Sequence, residues 1–98
     1  MALQITNNQG VFEINGNIIS ENSKSLQSHF EQLLHKTDSV FISVDNVKKI
    51  DVSGINVLTK LYKSAMKNNK IFFIIGKENE VVKKAFGKVN YILRSDFL

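Results

Sequence analysis

The sequence has 98 residues, 43% of them hydrophobic and 22% charged, and a formal net charge of +4. That length holds one core and not two, and with no cysteine in the chain neither a disulfide framework nor a thiolate metal site can form. No run approaches the roughly 20 apolar residues of a membrane span, and residues 1–4 carry neither the charged nor the apolar part of a secretory leader, so one cytoplasmic domain over residues 1–98 is expected.

Residues 3–6 and 11–14 alternate partially, and Asn7-Asn8-Gln9-Gly10 between them suits a hairpin turn, so the chain is expected to open with two antiparallel strands. Asn15-Gly16-Asn17 signals a turn or bulge, with Ile18 and Ile19 apolar beyond it. Ser20, Asn22 and Ser23 offer capping oxygens to a helix whose Leu26, Phe30, Leu33 and Leu34 share one face. His29 and His35 fall on different faces of that helix and do not converge on a metal.

Residues 40–44 are a nearly continuous β-branched and aromatic run, read as a central strand covered on both faces. Residues 45–49 read as a loop into the stretch Ile50-Asp51-Val52-Ser53-Gly54-Ile55, where a second helix begins. Ile55, Leu58, Leu61, Tyr62, Ala65 and Met66 make its apolar face, and Lys60, Lys63, Lys67 and Lys70 a stripe elsewhere. The lysines are not interleaved with exposed aromatics, so a solvated surface is expected and nucleic-acid binding is not. Asn68-Asn69 ends the helix, and residues 71–75 form the most apolar strand, again of the doubly covered type. Gly76-Lys77 lacks the spacing of a phosphate-binding loop and is read as a turn. Residues 78–86 suggest a short helix with Val81, Val82, Ala85 and Phe86 inward, closed by Gly87. Val89, Tyr91 and Leu93 alternate like an edge strand, before a tail at residues 94–98.

The corner at residues 51–55 brings a carboxylate, a hydroxyl and a glycine to a helix start, where unpaired backbone N–H groups suit a phosphate or a partner's carboxylate. Enzyme chemistry is not expected there. Asp51 and Ser53 have no adjacent base to make a nucleophile, neither histidine has an orienting acid nearby in the sequence, and nothing calls for a metal or cofactor.

This order of elements, with Asp45-Asn46-Val47 leading into Ile50-Asp51-Val52-Ser53-Gly54-Ile55, the lysine-bearing helix and the strand at 71–75, resembles the STAS domain. That family comprises bacterial anti-sigma factor antagonists and cytosolic domains of sulfate transporters. The resemblance implies an α/β, STAS-like fold: a mixed sheet of four to five strands in the order β-β-α-β-α-β-α-β, helices mainly on one face, and the family's final helix missing or very short. If that helix is replaced by cover from another chain, Phe97 and Leu98 become an oligomer contact and a homodimer follows.

In partner-switching members the residue after the Asp is a serine that a kinase-like anti-sigma factor phosphorylates. The matching residue here is Val52, which has no oxygen. Ser53 matches the second hydroxyl position and is either the N-cap of the second helix or a substitute phosphoacceptor. Asp51 either fixes the loop through backbone N–H groups or meets a basic group of a partner. Gly54 either permits a close approach of a partner or is simply tolerated. With the corner exposed as in the family, Val52 is expected to be an apolar contact at the centre of an interface, and Ile55 is the last residue of that partner-binding corner. The implied partner is a kinase-like anti-sigma factor, or alternatively the ATPase subunit of an ATP-driven lipid transport complex, as for some small STAS proteins.

Overall fold

In the computed structural model, which describes residues 3–95, the expected hairpin joins β1 (Gln4–Asn8) to β2 (Val11–Ile18) antiparallel. Its turn residues Gln9 and Gly10 both have positive φ, 54° and 90°, which matches the right-handed twist of the flanking strands. Asn7 Oδ1 accepts the Gly10 N–H at 3.0 Å. The chain continues through α1 (Ser20–Lys36), β3 (Ser39–Ser43), β4 (Val47–Ile50), α2 (Val52–Lys67), β5 (Ile71–Ile75) and α3 (Glu80–Phe86). A 3-10 helix at Gly87–Ile92 then leads to the short strand β6 (Leu93–Arg94).

The sheet has six strands, one more than the four to five expected: the order is β1-β2-β3-β5-β6, with β4 paired to β2. β3 runs parallel to residues 11–13 of β2, and β4 takes up the pairing where β3 leaves it, Gly16 opposite Val47 and Ile18 opposite Ile50. The expected loop at 45–49 is therefore mostly strand. Val47 and Ile50 are buried while Lys48 and Lys49 between them are exposed, and that spacing breaks the period-2 signal by which a strand is read. The bulge signal at Gly16 corresponds to a register shift between Gly16 and Asn17, with Gly16 at φ 108°.

α1 and α2 pack on each other and over the sheet face that carries Val40, Ile42, Phe72 and Ile74, all buried. Phe30 of α1 meets the rings of Phe12 and Phe72 edge-on at 5.8 and 5.9 Å. Each such side chain withdrawn from water contributes about 1.5–3 kcal/mol. β3 and β5 are not covered on both faces: burial alternates along β3, Phe41 and Phe73 are half-buried on the far side with ring centroids 5.5 Å apart, and Ile71 is 54% exposed. A continuous apolar run looks the same for a doubly covered strand as for one bearing aromatic residues on an open face.

Four further expectations are corrected. Met66, assigned to the apolar face of α2, is 61% exposed, and Val81, assigned inward, is 52% exposed. α3 starts two residues later than expected, capped by Asn79. The alternation at Val89, Tyr91 and Leu93 is not a strand, since the first two lie in the 3-10 helix. The proposed oligomer contact at Phe97 and Leu98 falls outside the described residues.

Candidate functional site

The turn from β4 into α2 is built around one carboxylate. Asp51, and not Ser53, is the N-cap of α2: its Oδ1 accepts the Gly54 N–H at 3.0 Å. Its Oδ2 accepts the N–H of Ser20, the first residue of α1, also at 3.0 Å. Its own N–H donates to Ile18 O at 3.1 Å. A single side chain thus satisfies an otherwise unpaired donor at the start of each main helix, with its charge at two positive helix ends. Of the two readings of Asp51, loop fixing is the one the geometry realises.

Gly54 is held to glycine by the chain itself. A Cβ there would lie 2.7 Å from Ile18 O, 2.8 Å from Ile18 Cγ2 and 2.8 Å from Ile50 Cγ1. The first turn of α2 is pressed against the ends of β2 and β4, so the close approach is internal. Ile55 is partly buried against the core, and its N–H donates to Asp51 O at 3.0 Å.

Val52 and Ser53 remain. Val52 is 70% exposed, the most exposed of the large apolar residues among the described ones. Ser53 is half-buried in the first turn of α2, and its hydroxyl makes no side-chain hydrogen bond there. It stands inside α2, two positions after the N-cap Asp51 and so too late to cap the helix. The corner therefore presents an apolar side chain on a backbone fixed from three sides.

Neighbouring turns are fixed by two asparagines: Asn22, one of the three capping candidates read at the start of α1, and Asn79, which carried no such reading. Asn22 Oδ1 accepts the Ile19 N–H at 3.0 Å and its Nδ2 donates to Asn17 O at 2.9 Å, setting the entry to α1. Ser20 and Ser23 do not serve as caps by side chain; Asn22 reaches back instead. Asn79 Nδ2 faces the carbonyls of Val44, Asp45 and Val47 at 3.0, 3.1 and 3.0 Å. Its Oδ1 accepts from the N–H groups of Val81 and Val82 at 3.1 and 3.3 Å. The signal available was an asparagine immediately before an apolar run. In the turn that Asn79 grips, burial and then the nearby Glu78 carboxylate push the Asp45 carboxyl above its ordinary range.

Among the described residues no group of three His, Cys, Asp or Glu side chains could hold a metal. His29 lies edge-on to Phe12 and Phe30, and His35 borders a cavity of about 340 Å³ with Glu31 and Lys70 between the far ends of α1 and α2. Among the described residues no helix is long and apolar enough to cross a membrane.

The profile of the STAS domain matches residues 1–91, and the chain belongs to that family. Its fold is that of SpoIIAA, an anti-sigma factor antagonist solved in its unphosphorylated form: TM-score 0.70 at 9% identity, over 98% of this chain and 90% of that one. An anti-sigma factor antagonist from Mycobacterium paratuberculosis superposes at TM-score 0.69 and 14% identity, over 98% of this chain and 86% of that one. An uncharacterized protein from Shewanella loihica with a SpoIIAA-like fold does so at 0.54 and 19%, over 97% and 85%. No curated protein matches the sequence.

Proposed function

We propose that the 98 residues act as one non-enzymatic docking domain of the cytoplasm, which binds a regulatory protein through Val52, Ser53 and the first turns of α2, on the pattern of an anti-sigma factor antagonist. The partner in this reading is a kinase-like anti-sigma factor. The observation that carries it is Val52, 70% exposed at a corner whose backbone Asp51 and Gly54 hold in place. A preformed surface loses little entropy on binding, and an exposed aliphatic side chain at its centre gains most when a partner desolvates it.

Phosphorylation at the position of Val52 is chemically impossible, so binding is constitutive or controlled elsewhere. Ser53 is the substitute acceptor in this reading: its hydroxyl is not engaged, and a phosphate in the first turn of α2 would meet the positive helix end. The lack of an acceptor at Val52 also favours a second reading, a permanent contact to the ATPase subunit of an ATP-driven lipid transport complex. Affinity purification from native cells, with the intact mass of the bait, separates these. A kinase-fold partner supports the first, and a bait heavier by one phosphate makes Ser53 its acceptor. Transporter subunits with an unmodified bait support the second, and recovery of neither partner counts against both.

A further inference from the structure

β6 pairs only with Ile74 and Ile75, so among the described residues no strand lies beside Ile71, Phe72 and Phe73 on that side of β5. In a parallel ladder, successive residues bond alternately to one neighbour and the other. Ile71 N–H donates to Asp38 O at 3.0 Å and Ile75 O accepts from Val44 N–H at 2.8 Å, both towards β3. The backbone groups of Phe72 are thereby turned to the side where β6 has not begun, while its ring stays in the core.

A cleft of about 210 Å³ opens along this edge, its walls including Tyr62, Met66, Ile71, Phe73, Lys70 and Arg94. Met66 and Ile71 flank it at 61% and 54% exposure. None of the lining residues is acidic. Lys63 and Lys67 are exposed on the adjoining helix, and Arg94 lies at the far end, its guanidinium donating to Tyr91 O and Leu93 O. The Lys70 chain lines the cleft while its ammonium reaches Leu34 O. At 1.5 Å per residue along α2, Met66 stands about 21 Å from Val52, so this is a surface separate from the corner.

We propose that this edge accepts an extended, acid-flanked segment of a partner protein, added as a strand along Ile71 to Phe73. Main-chain bonds to Phe72 fix the register, apolar side chains seat beside Met66 and Ile71, and acidic residues lie towards Lys67 and Arg94. A second copy paired edge to edge would bring the basic residues of both chains together, which selects against it. A lipid surface offers no strand for the Phe72 backbone.

The test is NMR of the isotope-labelled protein. In the free protein the Phe72 amide should exchange with solvent faster than that of Phe73, which is bonded within the ladder; equal protection means the edge is already closed and overturns the proposal. Titration with a short synthetic peptide, alternating Val and Thr between glutamate ends, should shift Met66, Ile71 to Phe73 and Arg94 and slow exchange at Phe72. Its counterpart with lysine ends should bind about tenfold more weakly. Ile71→Glu and Met66→Glu, both at exposed positions, should abolish the shifts in a folded protein, whereas Val52→Asp should leave them. Absence of shifts at the cleft, equal binding of the two peptides, the same shifts with phosphatidylglycerol vesicles, or a dimer in sedimentation without peptide would each overturn it.

Discussion

Asp51 and Ser20, 31 residues apart, are joined by a hydrogen bond of 3.0 Å from the Ser20 N–H to Asp51 Oδ2. Because Oδ1 of the same carboxylate caps α2, the two helices start from one shared acceptor. Asp51→Ala should therefore lower stability by about 2 kcal/mol, the sum of two lost caps, measured by urea unfolding. Asp51→Asn, with one acceptor oxygen, should lose roughly half as much. An unchanged unfolding midpoint in the alanine variant would mean the shared cap contributes nothing.

Gly54→Ala should destabilise the domain even though alanine is the better helix former by about 1 kcal/mol. The new Cβ would meet the Ile18 carbonyl at 2.7 Å, a backbone atom that cannot rotate away, and overpacking of this kind costs about 1–3 kcal/mol. Thermal unfolding reads the sign directly: a higher midpoint would show that the close approach relaxes without cost.

Asn79→Ala should remove the grip on the β3–β4 turn and the cap of α3 together. The loss expected is about 2 kcal/mol, with faster amide exchange at Val81 and Val82, whose N–H groups it now accepts. Slowed or unchanged exchange there would contradict the assigned role.

Asp45 gives a pH prediction. Its carboxyl is raised in the folded protein by burial and by Glu78, so the folded state binds its proton more tightly than the unfolded chain. The contribution of Asp45 to stability is therefore favourable at low pH and is lost as pH rises through the carboxylate range. Asp45→Asn should stabilise the protein at neutral pH by about a few tenths of a kcal/mol, the modest size set by its exposure, and the gain should vanish towards acid pH. A gain that grows on acidification would mean that folding lowers the Asp45 carboxyl's proton affinity instead of raising it.

Much of the fold was legible because its signals are local. The hairpin turn, the apolar faces of α1 and α2 and the helix start after Ile50 each follow from spacing within one element. β4 was hidden because Lys48 and Lys49 stand side by side on a strand recognised only through its pairing with β2. At the corner the motif was visible, and Asp51 holds backbone N–H groups as one of its readings had it, but the cap read for Ser53 belongs to Asp51 as well. Asp51 and Ser53 can both cap a helix, and which one does so depends on where α2 begins, a choice made by the fit of Gly54 against Ile18. The bond to Ser20 is long-range and leaves no trace in local pattern. The bulk of Val52 was known; its exposure was not.

The most direct test of the docking account compares tagged wild-type protein with Val52→Asp, purified in parallel from native cells with quantitative mass spectrometry of the proteins that accompany them. Val52 is 70% exposed, so the fold should tolerate the change, and matched thermal unfolding would establish that. A charge buried without a partner at the centre of an interface costs several kcal/mol, or roughly a hundredfold in affinity. If Val52 sits at the centre of the interface, the main co-purifying protein is lost with Val52→Asp. Its full retention by the folded variant would place the docking surface elsewhere.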